Sequence, residues 1–262
     1  MKVAVWSPTP FSGRKSTNLL LLALQTIWEE GGEQLVLHAD AGGSGPEHFL
    51  LSGGNRSRMM KQMEFGVDLL NKLLYCRRFD KALAVNAAYT FAGGKLHILP
   101  PGNSFFYQEN SAEAAAATVG IMRHAAAEFQ NVWVELPAGL SDFSRQVLSA
   151  ADMVIINLAQ SPFELSKAEQ IPTFRRELFV VGAYEQRCVY SRRNLMLLNP
   201  RLRGKCVVVP YCADYLAACC AGEVEAFWER GCRQGEEEIT DPFFKAVKKA
   251  YLGWKRCRAQ VP

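Results

Sequence analysis

The sequence predicts an α/β protein built on a single doubly wound, mainly parallel sheet with helices on both faces. Three observations carry this expectation. Short apolar runs alternate with helical stretches along nearly all of the 262 residues, the pattern of strands joined by crossover helices. With 49% hydrophobic residues the chain can bury a large core, and its length suits one domain spanning residues 1–262. The first forty residues read strand, loop, Lys-Ser, helix, strand, Asp, which is a phosphate-binding layout.

Taken in order, residues 2–6 form a short buried strand, 7–14 a loop, and Lys15-Ser16-Thr17 opens an apolar helix through Glu30. Gly31-Gly32 stops that helix, and 34–39 is a second buried strand ending at Asp40. A glycine-rich loop over 41–46 leads to a short helical piece at 47–51 and a helix over 58–79, with Val67, Leu70, Leu73 and Leu74 on one face. Residues 82–91 and 95–99 read as strands around Gly93-Gly94, and 112–129 as an alanine-rich helix. Strands over 131–136, 153–158, 178–181 and 206–209 then alternate with helices over 142–151, 164–170 and 192–198. Helices over 214–220, 223–230 and 242–258 complete the chain. In such sheets ligands sit beyond the carboxyl ends of the strands, where the loops at 8–15, 40–45 and 137–142 converge.

The formal net charge of +4 is too small to imply nucleic acid by itself. Eight cysteines form no C-x-x-C pair, and the four histidines stand in no ligand spacing with them, which argues against zinc and for a reducing cytoplasm. The apolar start is only five residues long, unlike a signal peptide, and nothing approaches the length of a membrane span.

The chemistry concentrates at the start of the first long helix. Unpaired N–H groups and the positive dipole end favour an anion there, and a lysine beside a hydroxyl can hold phosphate and magnesium together. The usual P-loop pattern is G-x-x-x-x-G-K-[ST]; with Lys15 and Ser16 in its last places, the glycine positions hold Thr9 and Arg14, and Gly13 is the one glycine of the loop. A side chain at position 14 obstructs close approach of backbone to phosphate or forces a φ that a non-glycine resists. The bland alternative is an ordinary βα turn with a chance Lys-Ser.

Four further segments, in order, resemble the ParA/MinD family of P-loop ATPases with a deviant Walker A loop. Leu35-Val36-Leu37-His38-Ala39-Asp40 is similar to the family's second strand, which ends D-x-D. Residues 132–140 (VWVELPAGL) are similar to its Walker B and switch stretch, and 151–158 (ADMVIINL) to the strand after it. Val207-Val208-Val209-Pro210-Tyr211 resembles the later I-P-Y/F strand end.

The resemblance implies a nucleotide site for ATP and Mg2+, formed by Gly13, Arg14, Lys15, Ser16 and Thr17. Lys15 falls on the lysine that neutralises the β- and γ-phosphates, Ser16 on the magnesium hydroxyl, and Asp40 on the aspartate that orients the attacking water. Glu135 replaces the Walker B aspartate as a magnesium group, and Pro10 stands where the signature lysine belongs. These departures imply weak or absent hydrolysis on a retained ATPase fold, a positioning or assembly scaffold; an active ATPase that positions DNA, pilus or secretion machinery or division components is the alternative. The eroded glycines and the Ser7-Pro8 opening resemble the TadZ/CpaE-like members. The family also implies a homodimer with a protein partner, non-specific DNA contact through Arg175-Arg176 and Arg192-Arg193, and membrane contact through the basic C-terminal helix.

Bland readings compete with several of these. His38, in an apolar strand, is expected to be a satisfied core histidine, and Asn157 a structural hydrogen-bonder. Phe243, Val247, Tyr251 and Trp254 are expected to pack the last helix on the sheet, leaving Lys245, Lys248, Lys249, Lys255, Arg256 and Arg258 solvated. Cys219-Cys220 is expected to be two buried thiols.

Overall fold

The computed structural model of the chain describes residues 1–10, 14–40, 45–51, 66–76, 78–101, 112–233 and 241–259. Among these, eight strands form one sheet: β1 (Lys2–Trp6), β2 (Gln34–His38), β3 (Tyr89–Phe91), β4 (Leu96–Leu99), β5 (Asn131–Glu135), β6 (Met153–Leu158), β7 (Glu177–Tyr184) and β8 (Cys206–Pro210). Their order is β3-β4-β2-β5-β1-β6-β7-β8, and only β3 runs antiparallel to its neighbour. The helices are α1 (Lys15–Glu30), α2 (Val67–Tyr75), α3 (Lys81–Asn86), α4 (Ala112–Glu128), α5 (Asp142–Ala150), α6 (Pro162–Glu169), α7 (Arg192–Leu198), α8 (Ala213–Ala221), α9 (Val224–Arg233) and α10 (Pro242–Ala259).

Successive side chains of a strand point to opposite faces, and the core divides accordingly. Ala4, Trp6, Val132 and Val134 lie with residues of α2–α7, whereas Val3, Val5, Trp133 and Ile155 lie with α1 and α8–α10. Burial on both faces explains why the parallel strands read as continuous apolar runs. β1 sits between β5 and β6, so the loop after β1 and the end of β5 meet where the chain changes direction across the sheet.

The last helix is part of that core. Phe243, Val247, Tyr251 and Trp254 are all buried, and Trp254 stacks on Trp133 with ring centroids 5.4 Å apart. Arg258 lies 4.4 Å over the Trp254 ring and forms a forked pair with Glu30 of α1 at 2.6 and 2.9 Å. The apolar side of α10 is thus taken up by the sheet, and a cationic side remains outside. No helix among the described residues is long and apolar enough to cross a membrane.

Several expectations need correction. Residues 82–91 are not one strand: Asp80 caps α3 by accepting from the Leu83 N–H at 2.8 Å, and only Tyr-Thr-Phe extends as β3. The piece expected at 47–51 is a 3-10 turn over Pro46–Phe49. α6 starts two residues before the expected 164, because Ser161 caps it and Pro162 suits its first turn. β7 reaches Glu177–Tyr184, past the expected 178–181. Cys219 is buried but Cys220 is exposed, as neighbours on a helix face different ways. The helix expected over 58–79 is shorter: among the described residues α2 starts after Gly66, whose φ of 75° is not helical, and ends at Tyr75, while 58–65 lie outside the described residues.

Trp254→Ala should destabilise the protein by about 3–5 kcal/mol in urea unfolding, as loss of a fully buried aromatic does. Removing residues 242–262 should abolish the cooperative transition altogether. An unchanged midpoint in either variant would contradict a core role for α10.

Candidate functional site

β1 delivers the chain into a loop that is clamped on one flank. Trp6 Nε1 donates to the Gly139 carbonyl at 2.6 Å, and the Gly139 N–H donates to the Ser7 carbonyl at 3.1 Å. The loop ends at Arg14, whose backbone is left-handed at φ 54°, ψ 50°. That conformation favours glycine, and an L-residue there carries about 1–2 kcal/mol of strain. The Arg14 guanidinium lies 5.6 Å from the Tyr211 ring centroid, and its carbonyl accepts from Thr17 Oγ1 at 3.0 Å.

Lys15 and Ser16 face the ends of β2 and β5. Lys15 Nζ donates to the Leu136 carbonyl, and lies 3.3 Å from Asp40 Oδ2 and 3.5 Å from Glu135 Oε1. Ser16 Oγ donates to Glu135 Oε1 at 2.5 Å. The strand ends are fixed together because His38 pairs with Glu135 in register and the Ala39 N–H donates to the Glu135 carbonyl at 3.0 Å. Glu135 is 2% exposed, and its Oε2 has no hydrogen-bond partner among the described residues.

Four predicted site residues therefore converge: Lys15, Ser16, Asp40 and Glu135. Two do not join them through their side chains. Arg14 turns to Tyr211, and Thr17 is buried with its hydroxyl on the Arg14 carbonyl. Gly13 lies outside the described residues.

Magnesium commonly takes one or two protein oxygens and completes its shell with water and phosphate. Ser16 Oγ and the Glu135 carboxylate, with its unpartnered buried oxygen, fit such a limited donor set. No group of three or more His, Cys, Asp or Glu able to hold a metal occurs among the described residues.

Beside this cluster, His38 is a core histidine with its hydrogen bond satisfied, Nδ1 lying 3.0 Å from Glu47 Oε1. His48 Nδ1 is 3.2 Å from the same oxygen. Only glycine fits at position 45, where a Cβ would fall 2.0 Å from His38 Nδ1. Burial pushes the Glu47 carboxyl up, but bonds from His38 and His48 outweigh it and hold the pKa at about 2 instead of 4.5. Burial likewise disfavours a charged His38, yet the bonded Glu47, with Glu135 and Asp40 beyond it, raises the ring above its ordinary 6.5. Asn157 is also structural, accepting from Asn18 Nδ2 at 3.0 Å. Sequence reasoning named Tyr211 only as the end of a strand motif, and it missed Glu47 and Tyr215, whose hydroxyl donates to the Thr17 carbonyl at 2.9 Å. No local pattern announces these partners.

Two predictions follow from this geometry. Lys15→Ala strands Glu135 and Asp40 and should cost roughly 2–4 kcal/mol of stability in chemical unfolding; a neutral effect would mean that the cluster is not formed. The lowered Glu47 contributes stability above pH 4.5 that is lost as pH falls toward 2, and the raised His38 contributes stability below 6.5 that is lost as pH rises through its folded value. Stability measured against pH should therefore fall on both sides, and Glu47→Gln should flatten the acid limb.

No family model matches the chain, and no curated protein matches it. Solved structures do. A ParA family ATPase from Chlorobium tepidum TLS superposes with a TM-score of 0.72 at 13% identity, over 96% of this chain and 97% of that one. The septum site-determining protein MinD from Pyrococcus horikoshii OT3, complexed with Mg-ADP, gives 0.66 at 13% identity over 99% of both chains. The MinC:MinD cell division protein complex of Aquifex aeolicus gives 0.68 at 15% identity, over 100% of this chain and 97% of that one. The chain has the fold of the ParA/MinD P-loop ATPases.

Proposed function

We propose that this protein is a ParA/MinD-type nucleotide-fold scaffold with a degenerate Walker A loop and weak or absent ATP hydrolysis, all of its residues forming one domain. The observation that carries the reading is Arg14, left-handed where the motif has glycine and with its guanidinium on Tyr211. Its Cβ crowds the place where loop backbone must approach phosphate, and Pro10 supplies no signature lysine. Phosphoryl transfer rests almost wholly on positioning and charge stabilisation, so these losses weaken turnover more than binding.

In this reading Lys15 exchanges part of its carboxylate pairing for the β- and γ-phosphates of ATP. Ser16 and Glu135 are the residues that would hold Mg2+, which supplies charge neutralisation at the phosphates when bound. Asp40 would orient a water, and Arg14 and Thr17 would contribute through their backbone at the start of α1. The scaffold works in the cytoplasm as a homodimer that holds a protein component of a positioning, pilus or partition system, a TadZ/CpaE-like role. The MinC:MinD complex among the structural neighbours supports a protein partner. Non-specific DNA contact through Arg175-Arg176 and Arg192-Arg193 is a secondary part of the proposal, as is peripheral membrane contact, which would have to use the cationic side of α10.

The convergence of Lys15, Ser16, Asp40 and Glu135 favours a second reading, an active ATPase of the same type. ATP turnover and Mg-ATP binding of the purified protein and of Lys15→Ala separate the two. The scaffold predicts no turnover above the mutant's, with binding that weakens at least about tenfold on loss of the Lys15 charge. Lys15-dependent turnover would establish the enzyme instead.

A further inference from the structure

Large apolar side chains that stay exposed are unevenly placed on this molecule. Among the described residues eight are exposed, and four of them, Phe163, Val189, Leu197 and Leu198, lie on α6, on α7 or in the turn before α7. Hydrogen bonds draw these elements together. Gln160, just ahead of α6, donates to the carbonyls of Glu185 at 3.0 Å and Tyr190 at 2.9 Å. Asn194 Nδ2 donates to the Val189 carbonyl at 2.6 Å. Leu197 and Leu198 follow Asn194 at the spacing that shares its helix face, so the valine and both leucines gather around it. Leu195 supplies the buried side of α7, and the leucine pair is left outward.

Cations border this apolar surface. Lys167 Nζ lies 5.6 Å from the Phe163 ring centroid, exposed Arg193 sits one turn before Leu197, and Arg203 Nε donates to the Met196 carbonyl at 3.3 Å. The exposed carboxylates of α6 and of the turn before α7 are Glu169 and Glu185, and Glu185 already accepts from the Arg187 N–H at 3.1 Å. An exposed apolar patch rimmed mainly by positive charge fits a surface that is apolar and negative. A second copy docked face to face would set these cations against themselves. Lipid is met by a helix with a continuous apolar face, whereas α7 has seven residues and turns Leu195 inward. DNA offers anions but little for a valine and two leucines to cover. We infer that the α6–α7 surface docks an acidic amphipathic helix of a partner protein, its apolar residues on Val189, Leu197 and Leu198 and its carboxylates toward Lys167, Arg193 and Arg203. The inference rests on the protein-partner part of the function proposed above and not on its nucleotide part.

Panning the full chain against a displayed library of random peptides, each about four helical turns long, tests this. Enriched sequences should carry apolar residues at i, i+3 or i+4, and i+7, with Asp and Glu between them. A synthetic peptide of the enriched sequence should bind in fluorescence anisotropy, and Leu197→Ser or Leu198→Ser should each weaken it about tenfold. Arg193→Glu should weaken it about fivefold, the loss shrinking with added salt. Trp28→Ser and Tyr75→Ser, at exposed apolar positions elsewhere, should leave binding unchanged, and thermal midpoints show that each variant is folded. Enriched peptides without acidic residues, no enrichment, or binding indifferent to Leu197→Ser and Leu198→Ser overturns the inference. If no acidic peptide is enriched, then phosphatidylserine vesicles, duplex DNA or self-association that fails in Leu197→Ser and Arg193→Glu assigns the surface to lipid, DNA or a second copy instead. Lys15-dependent ATP turnover alongside a peptide seated on this surface would overturn only the weak-hydrolysis reading; inert ATP chemistry without such a peptide would overturn only the docking surface.

Discussion

A carboxylate buried at the end of a central strand must be neutralised, and at Glu135 that requirement shapes the surrounding structure. Glu135 is almost fully enclosed, and Lys15 and Ser16 reach it from the first turn of α1. Burying an uncompensated carboxylate costs several kcal/mol, so α1 has to begin where its lysine can reach the strand end. The chain meets this by turning through a left-handed Arg14, accepting local strain to bring Lys15 and Ser16 to Glu135.

The sheet supports this arrangement from both sides. β1 is flanked by parallel β5 and β6, so the loop before Lys15 and the strand end at Glu135 are held in register by backbone bonds. On one face α1 is gripped through Glu30 by Tyr251 and Arg258 of α10, far along the helix from Lys15. At its start, Tyr215 of α8 binds the Thr17 carbonyl. A helix fixed at both ends cannot drift relative to the strands, which keeps Lys15 placed between its carboxylates.

Charge is unevenly distributed around that site. Asp40, Glu135 and Glu47 lie on or beside it, while Lys15 is shared between two carboxylates and His38 is bonded to Glu47. Arg14, the cation best placed in sequence to help, stacks on Tyr211 instead.

Local sequence determined the apolar strands, the two-sided burial they require, the helix starting at Lys15 and the glycine stop at Gly31, because periodicity and capping act over a few residues. The order of the weak motifs was enough to indicate the ParA/MinD fold. It misplaced residues 82–91, where an aspartate cap overrode an apolar run, and it left open which way Arg14 points. Tertiary structure alone decided that Lys15 meets both Asp40 and Glu135 and that the Glu164 carboxylate accepts from Thr9 Oγ1. Ser16 and Glu135 stand 119 residues apart in the chain, and Thr9 and Glu164 stand 155 apart. Contacts at such separations are fixed by how the sheet brings strand ends together, which no local pattern encodes.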